Sequence, residues 1–150
     1  MIFLPLALLK QIVDAAEAAY PAECCGLLVG HNTPSGELIV TGVEASPNVS
    51  GENPARRFEV SPQVRFDVMR ALQGGTERII GHYHSHPEHP AAPSLRDLER
   101  IYEPDLVWLI TSVVDGQAIH STAHQPKADG SAFTEIPLHT QNQETNGETP

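Results

Sequence analysis

Residues 81–97, GHYHSHPEHPAAPSLRD, combine a strand-like segment, a proline-rich loop and the start of a helix. In an extended chain alternate side chains share a face, so His84 and His86 present two imidazoles on one side, with α-carbons about 6.6 Å apart. Pro87 ends the strand, and the helix after the loop offers Asp97 from its first turn. A carboxylate can therefore return to the two imidazoles.

Two histidines, one carboxylate and an open fourth position for water are typical of a catalytic zinc site, whereas structural zinc sites are normally closed by four protein ligands. A zinc ion lowers the pKa of its bound water and polarises a substrate carbonyl. Such chemistry also needs a general base to accept the proton of the water. The spacing of the residues does not choose this base among the acidic side chains of the chain.

The same stretch resembles the motif of the JAMM (MPN-plus, Mov34/PAD-type) zinc metallopeptidases. His84-Ser85-His86-Pro87, six further residues, Ser94, two residues and Asp97 match the defining positions of that motif. Upstream, residues 21–30, PAECCGLLVG, resemble the family segment that carries the general-base glutamate, here Glu23. The chain is thereby identified as a member of the family, of its compact prokaryotic type.

The resemblance implies one Zn²⁺ held by His84, His86 and Asp97, with water in the fourth position. It also implies that Glu23 activates this water and that Ser94 hydrogen-bonds the oxyanion formed on the attacked carbonyl.

For the fold, the resemblance covers roughly residues 5–138 and implies an α/β domain of MPN type. In such a domain a curved mixed β-sheet is flanked by helices, in a cytidine-deaminase-like architecture. We expect a single domain over residues 1–138 and, because HTQNQETNGETP is strongly polar, a disordered tail over residues 139–150.

Residue patterns outside the motif agree with a mixed fold. Apolar residues at three- and four-residue spacing predict helices over 5–20 and from Pro62 to the glycines at 74–75, and Ser94 to Tyr102 has helical character. Runs of branched and apolar residues predict strands over 25–29, 37–43, 58–60, 78–86, 106–114, 117–123 and 132–138, the first two forming a hairpin.

Ser94 and Asp97 have an alternative interpretation. Ser94-Leu95-Arg96-Asp97 resembles a helix capping box, in which the acidic side chain bonds back to the backbone. An aspartate occupied in this way would not be a free metal ligand.

Other histidines compete less well as ligands. His82 shares the face of His84 and His86 but lies about 13 Å along the strand from His86, too far to share one ion comfortably. His89 lies in the loop beside the site, where substrate contact and simple solvation are both open. The remaining histidines are predicted at the surface: His31, His120, His124 and His139.

Adjacent cysteines, Cys24 and Cys25, are the only two in the chain. Neighbouring cysteines seldom form a disulfide, so they predict buried thiols and a reducing, cytoplasmic location. A zinc deaminase would need a downstream P-C-x-x-C after its H-x-E segment, and no cysteine follows residue 25.

Charge and length exclude several classes of function. The 150 residues carry a net charge of −10, which disfavours binding to nucleic acids and to anionic membranes. The apolar start, MIFLPLALL, lacks a basic n-region and is broken by Pro5, so we expect neither an export signal nor a membrane span.

From the resemblance we expect hydrolysis of a peptide or isopeptide bond, after the Gly-Gly tail of a ubiquitin-like or sulfur-carrier protein. A non-catalytic MPN scaffold that retains a metal site is the alternative, and a peptidase of phage-tail or cell-wall processing is a third. The scissile bond, the identity of the carrier and the oligomeric state stay open.

Overall fold

A computed structural model describes residues 1–140 of the chain. Eight strands form one sheet: β1 (Ile2–Phe3), β2 (Cys25–Asn32), β3 (Leu38–Ser46), β4 (Arg78–Pro87), β5 (Val107–Val114), β6 (Gln117–Pro126), β7 (Phe133–Ile136) and β8 (Leu138–His139). Three helices accompany it: α1 (Leu6–Ala19), α2 (Pro62–Ala71) and α3 (Leu95–Glu99).

The sheet is mixed, with the strand order β7-β6-β5-β4-β2-β3-β1-β8. β4 and β5 are parallel, as are the pairs of β1 with β3 and with β8, and all other neighbours are antiparallel. The predicted α/β class with a mixed sheet is confirmed. β4, the strand of the histidine motif, lies inside the sheet between β2 and β5.

Helix α1 covers one face of the sheet. Its buried residues Ile12 and Ala16 pack in a cluster with Leu28 of β2, Tyr83 of β4 and Leu109 of β5. This face is apolar because every second residue of the internal strands points towards α1. It contains the main hydrophobic core.

Glycine at position 26 allows this core to close over β2. A β-carbon there would lie 2.4 Å from the ring of Tyr83. Because no side-chain atom fits at that distance, Gly26 lets the buried ring lie flat against the strand.

The opposite face of the sheet carries α2, α3 and the connection between β3 and α2. A smaller cluster of Cys25, Phe58 and Trp108 packs there, and Val68 of α2 packs on Leu27. The side chains of His84 and His86 belong to this face.

Most predicted elements are present, with four differences. The predicted strand 132–138 is divided into β7 and β8, which lie at opposite edges of the sheet. The segment 58–60 is not a strand; only an isolated bridge joins Val60 to Asn48. The side chain of Asn48 instead bonds the backbone of Arg57 and Glu59. Strand β1 was not predicted, and α3 ends at Glu99, before Tyr102.

The first residue of the predicted tail, His139, belongs to the sheet. His139 lies in β8, where it pairs with Phe3 of β1, and its ring stacks on the Phe3 ring at 5.2 Å between centroids. The rest of the predicted tail, from residue 141, lies outside the described residues. Within residues 1–140, no helix has the length and apolar character needed to cross a bilayer.

Candidate active site

The two motif histidines leave β4 on the face opposite α1. Both are buried, and their Nε2 atoms lie 3.0 Å apart. The ring of Phe58 stacks on His84 at 4.1 Å between centroids, and Trp108 presents its edge at 5.6 Å. Aromatic packing thus fixes the His84 ring, so that its Nε2 points at His86.

Asp97 completes the group from the first turn of α3. Its Oδ2 lies 3.2 Å from His86 Nε2, and its Oδ1 lies 3.5 Å from His84 Nε2. The capping box also forms: Ser94 Oγ accepts from Asp97 N at 3.1 Å, and Asp97 Oδ2 accepts from Ser94 N at 2.8 Å. The sequence suggested that an Asp97 engaged in capping would not be free for the imidazoles, but in the structure its carboxylate does both. The cap orients the carboxylate.

Residues in the loop between β4 and α3 hold His86 in one orientation. His86 Nδ1 donates to the carbonyl of Pro90 at 2.9 Å, which leaves Nε2 free to face Asp97. The loop is itself fixed by β5, because Ser112 Oγ donates to His89 O at 2.6 Å. A backbone carbonyl on a restrained loop therefore sets the tautomer of His86.

The charges of these groups follow from burial and mutual contact. Burial lowers the pKa of His84. Burial alone would also lower the pKa of His86, but the hydrogen bonds from His86 to Asp97 and to Pro90 O outweigh it and raise that pKa. Although burial opposes ionisation of Asp97, its bonds with His84 and His86 hold the pKa of the carboxyl well below its usual range. Asp97 is therefore a carboxylate facing two nitrogen atoms.

The register of the sheet brings Glu23 to the same place. Cys25 pairs with His84 in the antiparallel ladder of β2 and β4, so the residue two before Cys25 lies beside His86. The backbone of Glu23 is anchored by a 2.7 Å bond from its N–H to Pro54 O. Its side chain is buried, and Oε2 has no hydrogen-bond partner within the described part of the chain.

The pKa of Glu23 is raised to about 7, mainly by burial; Asp97 adds to the shift, while His86 and the nearby arginines oppose it. The carboxyl therefore titrates near neutral pH, as a general base should. Ligand atoms of Glu23, His84 and His86 all lie within 4.8 Å of one another.

The imidazoles of His84 and His86 and the carboxylate of Asp97 fit a metal ion. A tetrahedral ion with ligand bonds of 2.0–2.2 Å separates neighbouring ligand atoms by about 3.3–3.5 Å. The N–N distance of 3.0 Å and the N–O distances of 3.2 and 3.5 Å are close to this spacing. His84 Nδ1 has no partner within residues 1–140, so only Nε2 of that ring has polar contacts. The buried cluster is compatible with a metal site.

A cavity of about 460 Å³ opens beside the cluster. Glu23 and His86 line it, together with Ser94, whose Oγ accepts from Asp97 N and still has its own proton to donate. His89, which was left between substrate contact and solvation, is exposed and lines the same cavity. A substrate bond placed there would meet the general-base candidate, the hydroxyl and the imidazole cluster together.

His82 does not join the cluster around His84. Its ring packs against Trp108 at 4.3 Å and Phe58 at 5.7 Å between centroids. Burial lowers its pKa to about 3, with a smaller contribution from His84, so His82 is neutral. This imidazole belongs to the aromatic support of the site.

One surface prediction is wrong. His124 is buried, because it pairs with Trp108 in the ladder of β5 and β6, and its Nε2 contacts Thr122 Oγ1 at 2.8 Å. The other three, His31, His120 and His139, are at least partly exposed.

Several residues around the site escaped the sequence analysis. Arg56 and Arg96 line the cavity, and Trp108 packs against the imidazoles. Phe58 had only been placed in a short strand. The central position of Trp108 in the apolar run of β5 was a usable signal for burial, but no local pattern connects Arg56 to a site thirty residues away.

Comparison with known proteins shows the family of the chain. The sequence model of the Prok-JAB family, described as prokaryotic homologs of the JAB domain, matches residues 5–125. A desampylase of Haloferax volcanii is 34% identical over 122 residues, covering 81% of this chain and 82% of the relative. A CysO-cysteine peptidase of Mycobacterium bovis is 30% identical over 134 residues, covering 87% and 85%.

Among solved structures, a JAB1/MPN domain protein from Archaeoglobus fulgidus superposes with a TM-score of 0.56 at 22% identity. The match covers 93% of this chain and 96% of that one. The predicted MPN-type fold is confirmed.

Proposed function

The chain belongs to the prokaryotic JAB-domain branch of the JAMM/MPN family, and from that premise we propose that it is a zinc-dependent peptidase. Its substrate is a ubiquitin-like or sulfur-carrier protein, cleaved after a Gly-Gly tail. One observation carries this proposal: two imidazoles, one carboxylate and a buried Glu23 oxygen converge beside a cavity of about 460 Å³, and this oxygen has no hydrogen-bond partner within residues 1–140.

His84, His86 and Asp97 would hold one zinc ion. When bound, zinc supplies an acidified water and polarises the carbonyl to be attacked. The capping box keeps Asp97 in place, and the bond to Pro90 O keeps His86 in the correct tautomer. The chain itself thus pre-arranges the three ligands.

Glu23 moves the proton in this mechanism. Its carboxylate takes a proton from the attacking water and gives it to the leaving nitrogen, while a C–O bond forms and the C–N bond breaks. The products are a carboxylate on the terminal glycine and a free amine. Ser94 donates its hydroxyl proton to the oxyanion that develops on the attacked carbonyl.

The substrate class is supported by the two relatives, whose names, desampylase and CysO-cysteine peptidase, describe hydrolases. We further propose that the catalytic domain is the predicted span 1–138 extended by β8, and that the protein works in the cytoplasm. Cys24 and Cys25 are buried free thiols, which suits a reducing compartment.

Cleavage of a carrier fusion tests the proposal. Zinc-loaded protein should convert a carrier extended beyond Gly-Gly into one that ends at Gly-Gly, as measured by intact mass. A chelator should stop the reaction, and added zinc should restore it. Metal analysis should give one zinc per chain, and Asp97→Asn should lower zinc affinity by at least about 10-fold. Asp129→Asn, at an exposed turn, is the matched control and should leave both properties unchanged.

Absence of any zinc-dependent cleavage would overturn the peptidase proposal. If the zinc-loaded protein instead co-purified in a fixed ratio with another subunit and cleaved nothing, the scaffold alternative would replace it.

A further inference from the structure

The cavity beside Glu23 differs in charge from the rest of the protein. The chain has 19 acidic and only 9 basic residues. Two of those basic residues, Arg56 and Arg96, line this one cavity, and Glu23 is the only acidic residue among residues 1–140 that lines it. The lining of this cavity therefore carries more basic than acidic side chains, although the protein as a whole is acidic.

Neither arginine is engaged elsewhere. Within residues 1–140, the side chains of Arg56 and Arg96 form no ion pair, and both are exposed to the cavity. Three of the other seven basic residues are paired with acids: Arg57 with Glu52, Arg65 with Glu103, and Lys10 with Asp14. The guanidinium groups in the cavity keep their hydrogen-bond donors free for a ligand.

The two arginines reach the cavity from separate elements that also hold the reacting groups. Arg96 directly precedes Asp97 in α3. Arg56 lies two residues after Pro54, whose carbonyl accepts the backbone N–H of Glu23. Both side chains are thus attached to backbone that is fixed relative to the site, so a bound anion would be close to the scissile bond.

A planar guanidinium fork matches the geometry of a carboxylate and binds it by two parallel hydrogen bonds. A cavity of about 460 Å³ is at the small end of ligand pockets, which suits a short segment better than the surface of a folded protein. In a leaving amino acid, the α-carboxylate is only two bonds from the nitrogen that departs. A lysine side chain of a folded protein brings no carboxylate to that position.

We propose that Arg56 and Arg96 bind the free α-carboxylate of the leaving group. The preferred substrate is then a carrier protein extended by a single amino acid or a very short peptide, rather than a carrier joined to a lysine of a folded protein. This inference rests on the proposed function and names the leaving-group class of the same site.

Three fusions of one carrier protein test it, identical except beyond Gly-Gly. The first ends in alanine with a free carboxylate, the second in alanine carboxamide, and the third is joined to the ε-amine of a lysine whose α-groups are both blocked. Zinc-loaded wild-type protein should cleave the first with a kcat/KM about 10- to 100-fold above the second and the third, the range expected for a charged hydrogen-bonded pair.

Arginine variants assign the preference to the two side chains. Arg56→Gln and Arg96→Gln should each reduce the ratio of kcat/KM for the carboxylate fusion to kcat/KM for the carboxamide fusion by about 10-fold. Arg70→Gln is the matched control, because Arg70 is exposed on α2 and does not line the cavity. It should leave the preference unchanged. As a readout that needs no turnover, acetylglycine should bind the wild type more tightly than acetylglycinamide in isothermal titration calorimetry, and Arg96→Gln should remove that difference.

The outcomes separate the two proposals. Equal cleavage of carboxylate and carboxamide fusions, or faster cleavage of the lysine-linked fusion, overturns the carboxylate inference and leaves the peptidase in place. A preference that survives in both arginine variants overturns the assignment to Arg56 and Arg96. If no fusion is cleaved at all, the proposed function fails first.

Discussion

The two faces of β4 differ sharply, although they belong to one strand. Towards α1 the strand presents Tyr83, which packs in the main core. Ile80 joins the same core because the pairing of β4 with β2 is irregular next to it, between Leu28 and Val29. Its opposite face, here called the cavity face, carries His82, His84 and His86, and of these His86 lines the cavity. From His82 to His86, the two-residue period of a strand places packing on one side and chemistry on the other.

The faces differ also in how completely their polar atoms are paired. Among the described residues, the buried side-chain atoms without a hydrogen-bond partner are Glu23 Oε2, His82 Nδ1 and His84 Nδ1, all at the cavity face. Unpaired buried polar groups cost stability. The apolar packing on the α1 face therefore compensates for the unpaired polar atoms on the cavity face. Mutations on the α1 face should lower stability, and mutations on the cavity face should lower activity.

Glu23→Gln gives the largest expected effect and acts only on the cavity face. Glutamine keeps the shape of the side chain but cannot accept the proton of the water, so kcat/KM on a carrier fusion should fall by about 10²- to 10⁴-fold. Zinc content should be unchanged, since Glu23 is not one of the proposed ligands. Activity that survives in a zinc-loaded variant would refute the mechanism.

Leu109→Ala is the counterpart on the α1 face. Leu109 is fully buried against α1, so its truncation leaves a cavity and should lower the free energy of unfolding by about 2–5 kcal/mol. The kcat/KM per folded molecule should stay within about 3-fold of wild type. Ile119→Ala, at a residue that is 62% exposed, serves as the control and should change stability by less than about 0.5 kcal/mol. A loss of activity in folded Leu109→Ala would show that the faces are coupled.

Sequence reasoning reached the elements whose signals are local. The 3.6-residue period predicted α1, and the apolar run predicted β5. Both signals lie within one continuous stretch of sequence, so they can be recognised without knowledge of the tertiary structure. The two-residue strand β1 escaped, since its pairing with β3 and β8 joins distant parts of the chain. The segment 58–60 was wrong for the opposite reason: its composition suits a strand, but the side chain of Asn48 satisfies its backbone.

At the site, the sequence predicted the identity of the candidate residues but only part of their arrangement in space. The spacing of His84 and His86 places them on one face, and this holds in the structure. The proximity of Glu23 depends on the register of β2 against β4, which no local pattern reveals. The carbonyl of Pro90 that orients His86 and the arginines of the cavity are likewise tertiary features.

The pH dependence of the unfolding free energy measures how much the burial of Glu23 destabilises the metal-free protein. Burial raises the pKa of Glu23 from an ordinary value of 4.5 to about 7 in the folded protein. The folded state then binds this proton more tightly than the unfolded state. In the metal-free protein, the stability that the protonated carboxyl contributes is therefore complete below about pH 4.5 and lost as the pH rises through 7.

Glu23→Gln removes this titration. At pH 8 the metal-free variant should be more stable than the metal-free wild type by about 1–3 kcal/mol, and the difference should shrink towards pH 4.5. Urea unfolding across this pH range is the measurement. With zinc bound the gain should disappear, because a nearby cation favours the carboxylate. A stability difference that does not vary with pH would contradict the assignment of the shift to Glu23.

Ser85→Ala has the smallest expected effect. It tests whether a residue on the α1 face also contributes to activity. Ser85 lies between the two histidines and points to the α1 face, yet its Oγ accepts the backbone N–H of Cys24, next to Glu23, at 2.8 Å. Alanine leaves that buried N–H unpaired, so we expect a loss of about 1–2 kcal/mol in unfolding free energy. Because this bond also fixes the backbone beside Glu23, kcat should fall about 2- to 5-fold with KM unchanged. Ser35→Ala, in an exposed turn, is the control. If only stability changed, the α1 face would support the fold alone; a fall in kcat would show that it also positions the general base.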